Sequence, residues 1–97
     1  MTELKETAKL MNSADYKERF IAEYWQTKIR YEKLKAFNNK IEAAQITHFS
    51  ELDNKVKEPT HDCPASLLRD QQRVMGEYLH LLEIRALIEG IDLNKDK

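Results

Sequence analysis

The chain has 97 residues, a formal net charge of −1 and 34% charged residues, so it forms one domain at most. This balanced charge argues against a general DNA or membrane-surface binder, and no apolar run has transmembrane length. Two glycines and two prolines favour long helices. Cys63 is the only cysteine, and residues 1–10 lack the apolar core of a secretion signal, so we expect a reducing, cytoplasmic location.

The N-terminal segment, residues 1–12, is predicted to be a short helix or arm. Thr2 can cap it, and Leu4, Ala8 and Met11 fall on one face. Isolated helices this short are marginal in water, so we expect it to dock on its own subunit or a neighbour.

The main domain, residues 13–93, begins with a long helix over about 14–45. Asp15 can cap this helix, with Glu18 completing a capping box. Alternating spacings of four and three define a seam with a period of about 3.5 residues, formed by Phe20, Tyr24, Thr27, Tyr31, Leu34, Asn38 and Ile41. A second apolar edge is predicted beside it, at Ile21, Trp25 and Phe37.

A connection follows over about 46–63, and a second long helix over about 64–90. The spacing of Ile46, Phe49, Leu52 and Val56 allows a further short helix within the connection. Pro64 suits the first helical turn and Gly90 the C-terminal stop, and residues 91–97 are predicted to be a loose tail.

The second long helix carries a predicted buried stripe, formed by Leu67, Leu68, Val74, Met75, Leu81, Leu82 and Ile88. Gln71, Tyr78 and Arg85 recur every seventh residue along its centre. One interpretation places these polar residues at a seam between the helices, bonded to Thr27, Asn38 or Tyr31. The other places them in a pocket where chains meet.

These elements predict an all-α fold, an antiparallel helical hairpin of two long helices with a short N-terminal helix. A bare hairpin buries few side chains fully, so we expect it to assemble into a homo-oligomer.

Cations and aromatics are mixed in the first long helix. Residues 28–35 contain four cations and one acid, and Tyr24, Trp25 and Tyr31 lie among or beside them. Nucleotide and single-strand sites use this mixture, although a solvated helix face has the same composition. Acids spread over the rest of the chain argue against duplex DNA.

Catalytic and metal signals are weak. The spacing of His48, His61 and Cys63 matches no standard zinc site, and Cys63 has no evident partner base. The sequence contains no Gly-rich phosphate loop. We therefore predict no enzyme, no metal and no cofactor.

Two blocks carry a family resemblance, DYKERFIAEYWQTKIRYEKLK at 15–35 and LLRDQQRVMGEYLHLLEIRALIEGIDL at 67–93, together with the CP pair at 63–64. They resemble a family of small phage-encoded helical-hairpin proteins, the crAss-phage-related family. In size and helical build the chain is more distantly similar to phage anti-CBASS and anti-Thoeris sponge proteins. Those oligomers trap cyclic nucleotides or ADP-ribose-type messengers of bacterial anti-phage immunity without cleaving them. The chain lacks the GYRDL block typical of the best-known anti-CBASS sponges, so no binding residue is transferred by motif.

The resemblance implies a phage protein that sequesters a nucleotide messenger in the host cytoplasm. The candidate ligand-binding residues, chosen for stacking, phosphate contact or hydrogen bonding, are Tyr16, Arg19, Tyr24, Trp25, Lys28, Arg30, Tyr31, Gln71, Arg73, Tyr78 and Arg85. The alternative is a helical oligomer that binds another protein through Ile21, Trp25 and Phe37 and takes no small ligand. A third hypothesis is single-strand binding through Lys28 and Lys35.

Overall fold

A computed structural model describes residues 3–48 and 56–94 of the chain. It contains α1 (Leu4–Met11), α2 (Tyr16–His48) and α3 (Ala65–Glu89), and no strand in the residues described. The predicted all-α class is confirmed. Within those residues, no helix combines the length and apolar character needed to cross a membrane.

The start of α2 is fixed by side-chain caps. The Lys17 N–H donates to Asp15 Oδ1 at 3.0 Å, which confirms the predicted cap. The predicted capping box is modified, because Glu18 does not reach back to the cap residue directly. Instead Ser13 Oγ accepts the Asp15 N–H at 3.0 Å and donates to Glu18 Oε1 at 3.2 Å.

The ends of α3 follow from Pro64 and Gly90. Pro64 has an extended backbone (ψ 142°) and lies just before α3, so the helix begins one position later than predicted. The Pro64 carbonyl accepts the N–H groups of Leu67 and Leu68. Gly90 has a φ of 69°, and its N–H donates to the Ala86 carbonyl. This left-handed conformation strains any residue with a Cβ, so Gly90 ends α3 as predicted.

Contacts between α2 and α3 run in opposite chain order. Hydrogen bonds that join the helices along their length include Tyr16 to Glu89 at 3.4 Å, Tyr24 to Glu83 at 2.7 Å, and Asn38 to Gln72 at 2.9 Å. The predicted α2 seam is confirmed, because each of its seven positions is buried or half-buried. The main apolar cluster is formed by Leu10, Phe20, Ile21, Ala22, Tyr24, Leu79, Leu82, Ala86 and Ile91.

The helix α1 docks on α2 through Thr7 and Leu10, which are 0% and 9% exposed. The predicted contact face of Leu4, Ala8 and Met11 is wrong, because Ala8 is exposed and Met11 is 40% exposed. The face is displaced because the Thr7 hydroxyl can donate to the Leu4 carbonyl at 2.6 Å, which lets a polar residue enter the contact.

The connection is described only from residue 56, and residues 56–64 form no helix. The predicted cap Thr2 and the predicted short-helix residues Phe49 and Leu52 lie outside the described residues. Ile46, expected in that short helix, belongs to α2 and is 67% exposed.

The predicted buried stripe of α3 is only partly correct. Leu82 is 2% exposed, but Leu67, Val74, Leu81 and Ile88 are 55%, 53%, 60% and 79% exposed. The buried line of α3 instead follows Leu79, Leu82 and Ala86. The apolar sector of α3 is wider than the surface that one neighbouring helix covers, so α2 packs against one side of it and leaves the other side exposed.

The predicted second edge of α2 is not free to bind a partner. Ile21 is 2% exposed, and Trp25 Nε1 donates to the Leu93 carbonyl at 2.6 Å. Phe37 packs edge-on against His61, with 6.3 Å between the ring centroids. Segments before and after α3 therefore cover this edge.

Candidate functional site

A groove of about 300 Å³ opens where the middle of α2 meets the first half of α3. We call it the Asn38 groove. Its lining combines amides, guanidinium groups, a phenol and one carboxylate, from Tyr31, Asn38, Asn39 and Glu42 on α2 and Arg69, Gln72, Arg73 and Gly76 on α3. This volume is at the low end for small-molecule sites, so the groove matches one nucleoside phosphate unit better than a whole dinucleotide.

Asn38 provides an acceptor with no partner. Its side chain is buried, and Nδ2 donates to the Leu68 carbonyl at 3.1 Å and to Gln72 Oε1 at 2.9 Å. Its Oδ1 has no hydrogen-bond partner among the described residues. Since buried polar atoms are nearly always paired, this buried oxygen is an unmet acceptor on a side chain that lines the groove.

Gly76 lets the Tyr31 ring lie against α3. A Cβ at this position would stand 3.2 Å from Tyr31 Cε1, closer than ordinary van der Waals contact. A glycine within a helix lowers stability by about 1 kcal/mol relative to alanine. The close approach of the Tyr31 ring explains why a glycine is present here. The half-buried Tyr31 ring thereby becomes part of the groove lining.

Two arginines supply positive charge to the groove. Arg69 is exposed, and Arg73 Nη1 donates to Glu77 Oε1 at 3.2 Å with its side chain 60% exposed. Exposed ion pairs one helical turn apart are weak, so Arg73 can exchange this partner for a phosphate. Among the described residues of the lining, Glu42 is the one acid.

A second polar group lies along the other half of α3. The Tyr78 hydroxyl donates to Glu23 Oε1 at 2.7 Å, and Arg85 Nε donates to Glu89 Oε2 at 2.8 Å. The Tyr16 hydroxyl reaches Glu89 Oε1 at 3.4 Å. The structure thus brings three predicted site residues together, each facing a carboxylate.

Charge in this second group is balanced locally. The hydrogen bond to Glu23 raises the pKa of Tyr78, and the hydrogen bond from Arg85 lowers the pKa of Glu89. Arg85 also lies over the Phe20 ring, 4.8 Å from its centroid, and its side chain is 54% exposed. These groups must release their own carboxylates before they bind an anion.

The seam interpretation of the α3 centre line is wrong. Tyr78 and Arg85 bond to Glu23 and Glu89, and not to Thr27, Asn38 or Tyr31. Gln71 is exposed. The centre line turns outward because α2 packs on the neighbouring line of Leu79, Leu82 and Ala86.

Two predicted stacking residues point into the fold. Tyr24 is 6% exposed, its hydroxyl donates to Glu83 Oε2, and burial together with this bond raises its pKa. Trp25 packs edge-on against Tyr24 with ring centroids 5.4 Å apart, besides donating to Leu93. A ring as buried as Tyr24 has no open face on which a base can stack.

The remaining predicted cations lie apart from the groove. Lys28 pairs with Glu32 at 3.4 Å, Arg19 Nη1 donates to the Ser13 carbonyl at 2.7 Å, and Arg30 is exposed. None of these three cations lines the Asn38 groove, whereas the predicted residues Tyr31 and Arg73 do.

Sequence reasoning missed most of the groove. It placed Asn38 in the helix seam, and it did not assign Arg69, Gln72 or Gly76 to a site. The mid-helix position of Gly76 was the available signal, because an interior helical glycine usually marks a close approach.

A second cavity, of about 440 Å³, lies at the C-terminal end of α3. Its charged lining residues are Glu83 and Asp92, beside Ala86, Leu87 and Ile91. This lining repels a phosphate. Across residues 3–48 and 56–94, no three His, Cys, Asp or Glu side chains form a group that can hold a metal ion.

Comparison with known proteins gives one match. The Sequestin family profile matches residues 14–88, which include all of α2 and nearly all of α3. No curated protein and no solved structure matches the chain. Because the profile spans most of the sequence, including the helices that form the groove, the chain belongs to the Sequestin family.

Proposed function

We propose that the protein binds and sequesters a nucleotide second messenger of bacterial anti-phage immunity without cleaving it. The name of its family denotes sequestration. The resemblance to phage hairpin proteins supports a phage origin and action in the cytoplasm of the infected host. Both blocks that carry this resemblance fall largely within the matched residues 14–88.

The observation that carries the proposal is a groove that holds two arginines and is lined by Asn38, whose buried Oδ1 has no partner among the described residues. In the bound state, Asn38 Oδ1 accepts a hydrogen bond from a base amine or amide. The Tyr31 ring contacts the base, and base–aromatic contacts contribute about 1–3 kcal/mol each. Arg69 and Arg73 hold the phosphate, since the planar guanidinium matches two phosphate oxygens at once.

The proposal treats α2 and α3 as an antiparallel hairpin that associates with further copies. The opposite chain order of their contacts supports the hairpin. The exposed apolar side of α3 supports association.

Binding without turnover fits the chemistry of the groove. Its lining pairs no hydroxyl or thiol nucleophile with a base, and the single carboxylate, Glu42, lies among amides and guanidinium groups. A rigid groove between two packed helices loses little entropy on binding, which favours tight retention.

Isothermal titration calorimetry against cyclic di- and trinucleotides and cyclic ADP-ribose isomers tests the proposal. We expect one of them to bind, and to be recovered intact after the protein is heat-denatured. The Arg69→Ala/Arg73→Ala variant should bind at least tenfold more weakly. Lys33→Ala/Lys40→Ala is the matched control, because it removes the same charge from exposed α2 positions outside the groove.

Absence of heat and of a thermal shift with every compound would reject the proposal. A stoichiometric protein partner captured under the same conditions would instead favour the alternative of an interaction module without a small ligand. Equal weakening in both double variants would show that only overall charge matters and that the groove is not the site.

A further inference from the structure

The exposed side of α3 has a regular pattern that its own chain does not use. We call the residues Leu67, Val74, Leu81 and Ile88 the α3 stripe; each is at least half exposed. Ile84, 42% exposed, extends the apolar surface beside it. Apolar surface this continuous is uncommon on a monomeric soluble protein and marks an interaction site.

The spacing of the α3 stripe identifies the kind of partner. With Gln71, Tyr78 and Arg85 between its members, the stripe alternates steps of four and three residues. This period of about 3.5 residues keeps one face of a helix in contact with another long helix crossing at about 20°. The helix α2 contacts the separate line of Leu79, Leu82 and Ala86, so residues 3–48 and 56–94 leave the repeat on the stripe unused.

We propose that α3 packs antiparallel against α3 of a second copy through the α3 stripe, forming a symmetric dimer. This inference deepens the association that the proposed function includes, by naming its surface and orientation, and it does not require a ligand to bind. A self-complementary surface is what a two-fold dimer requires, because the same patch serves on both subunits. Leu67 of one copy then faces Ile88 of the other, and Val74 faces Leu81.

Charge complementarity selects the antiparallel orientation. In this register Asp70 of one copy faces Arg85 of the other, twice per dimer, where the half-exposed guanidinium already bonds Glu89 through Nε and offers its remaining N–H groups to Asp70. A parallel pair in register would place Arg85 against Arg85 and leave Asp70 without that partner, and like charges in contact are unfavourable. Glu77 approaches the dimer centre, where its charge is already balanced by Arg73 of its own chain at 3.2 Å.

The size of the surface suits a stable dimer. The 25 residues of α3 extend about 37 Å at 1.5 Å per residue, and five exposed aliphatic side chains and Tyr78 lie along the surface that holds the stripe. A specific interface buries roughly 800 Å² per partner, with apolar and aromatic residues at its centre. Val74 and Gly76 are about 200° apart around the helix, so the Asn38 groove stays open on the far side of α3.

Light scattering after size exclusion tests the stripe. The wild-type chain, of 11.5 kDa, should elute with twice that mass. Val74→Glu/Leu81→Glu should be monomeric, with helical circular dichroism retained because both residues are exposed in the subunit. Ile46→Glu, at an apolar position on α2 that is 67% exposed, is the matched control and should remain dimeric. A monomeric wild type, or a dimer that survives the double substitution, would overturn the proposal.

Charge exchange and cross-linking test the orientation independently. Asp70→Arg and Arg85→Asp should each raise the dimer dissociation constant at least tenfold, and the double variant should recover most of that loss. In a Cys63→Ser background, Leu67→Cys/Ile88→Cys should oxidise to a covalent dimer, whereas Leu67→Cys alone should not. Efficient cross-linking of Leu67→Cys alone would show a parallel pair and overturn the antiparallel arrangement.

Discussion

Asn38→Leu should make the ligand-free protein more stable while it weakens ligand binding. The substitution removes two hydrogen bonds, to Leu68 and Gln72, which contribute about 0.5–1.5 kcal/mol each. It also removes the unpaired Oδ1, whose burial costs about 1–3 kcal/mol. The Leu68 carbonyl can still accept a bond within α3, and the half-buried Gln72 can reach water.

The gain in the free energy of unfolding comes from burying the leucine side chain of Asn38→Leu at a position that is only 5% exposed. A buried leucine contributes about 1.5–3 kcal/mol relative to an exposed one. The lost hydrogen bonds and the removed burial cost of Oδ1 roughly cancel, so the net stabilisation is about 1.5–3 kcal/mol. Stabilisation at the expense of binding is the trade-off expected for a group retained for function.

Urea denaturation followed by circular dichroism, at one fixed protein concentration, measures this difference. Asn39→Leu is the control, since Asn39 is the exposed neighbour on α2 and its substitution should change the free energy of unfolding by less than about 0.5 kcal/mol. Destabilisation of Asn38→Leu by more than about 1 kcal/mol would refute the reasoning. Asn38 would then be a structural residue that fixes how α2 sits on α3.

Three further predictions concern the core and its polar contacts. Leu82→Ala should destabilise the protein by about 2–5 kcal/mol, because Leu82 is 2% exposed in the main apolar cluster. Thermal melting should show this loss of stability, and a drop in Tm of only a degree or two would contradict the prediction. Trp25→Phe should lower stability by about 1 kcal/mol, because it removes the hydrogen bond to the Leu93 carbonyl. Amide hydrogen exchange should then become faster in residues 91–94, and unchanged exchange there would show that Trp25 does not hold this segment in place. In an absorbance titration Tyr24 should ionise above the ordinary tyrosine range, because burial and Glu83 raise its pKa. The unfolded chain ionises first, so stability should fall as pH rises above about 10, and Tyr24→Phe should reduce that fall; an equal fall in Tyr24→Phe would contradict this assignment.

The sequence alone determined the helices and much of their packing on one side. Few glycines and prolines, the cap at Asp15 and the stop at Gly90 are local features, and each acts through the backbone of its own segment. The α2 seam was also predictable, because a spacing of four and three directs side chains to one face whatever the partner is. The all-α class and the burial of this seam could therefore be predicted without knowing which residues meet in the folded chain.

Tertiary structure decided which part of the α3 apolar sector is buried. Because the apolar sector of α3 is wider than the surface that one helix covers, α2 could pack on either side of it. The periodicity of Leu67, Val74, Leu81 and Ile88 does not indicate which side is buried. The choice followed from Leu79, Leu82 and Ala86 meeting the α2 core. The same choice turned Tyr78 and Arg85 outward and brought Asn38 beside Gln72 and Gly76, about 35 positions away in the chain. Sites built from two helices depend on their relative rotation, and that rotation is set by packing energy summed over the whole interface, which no single segment encodes.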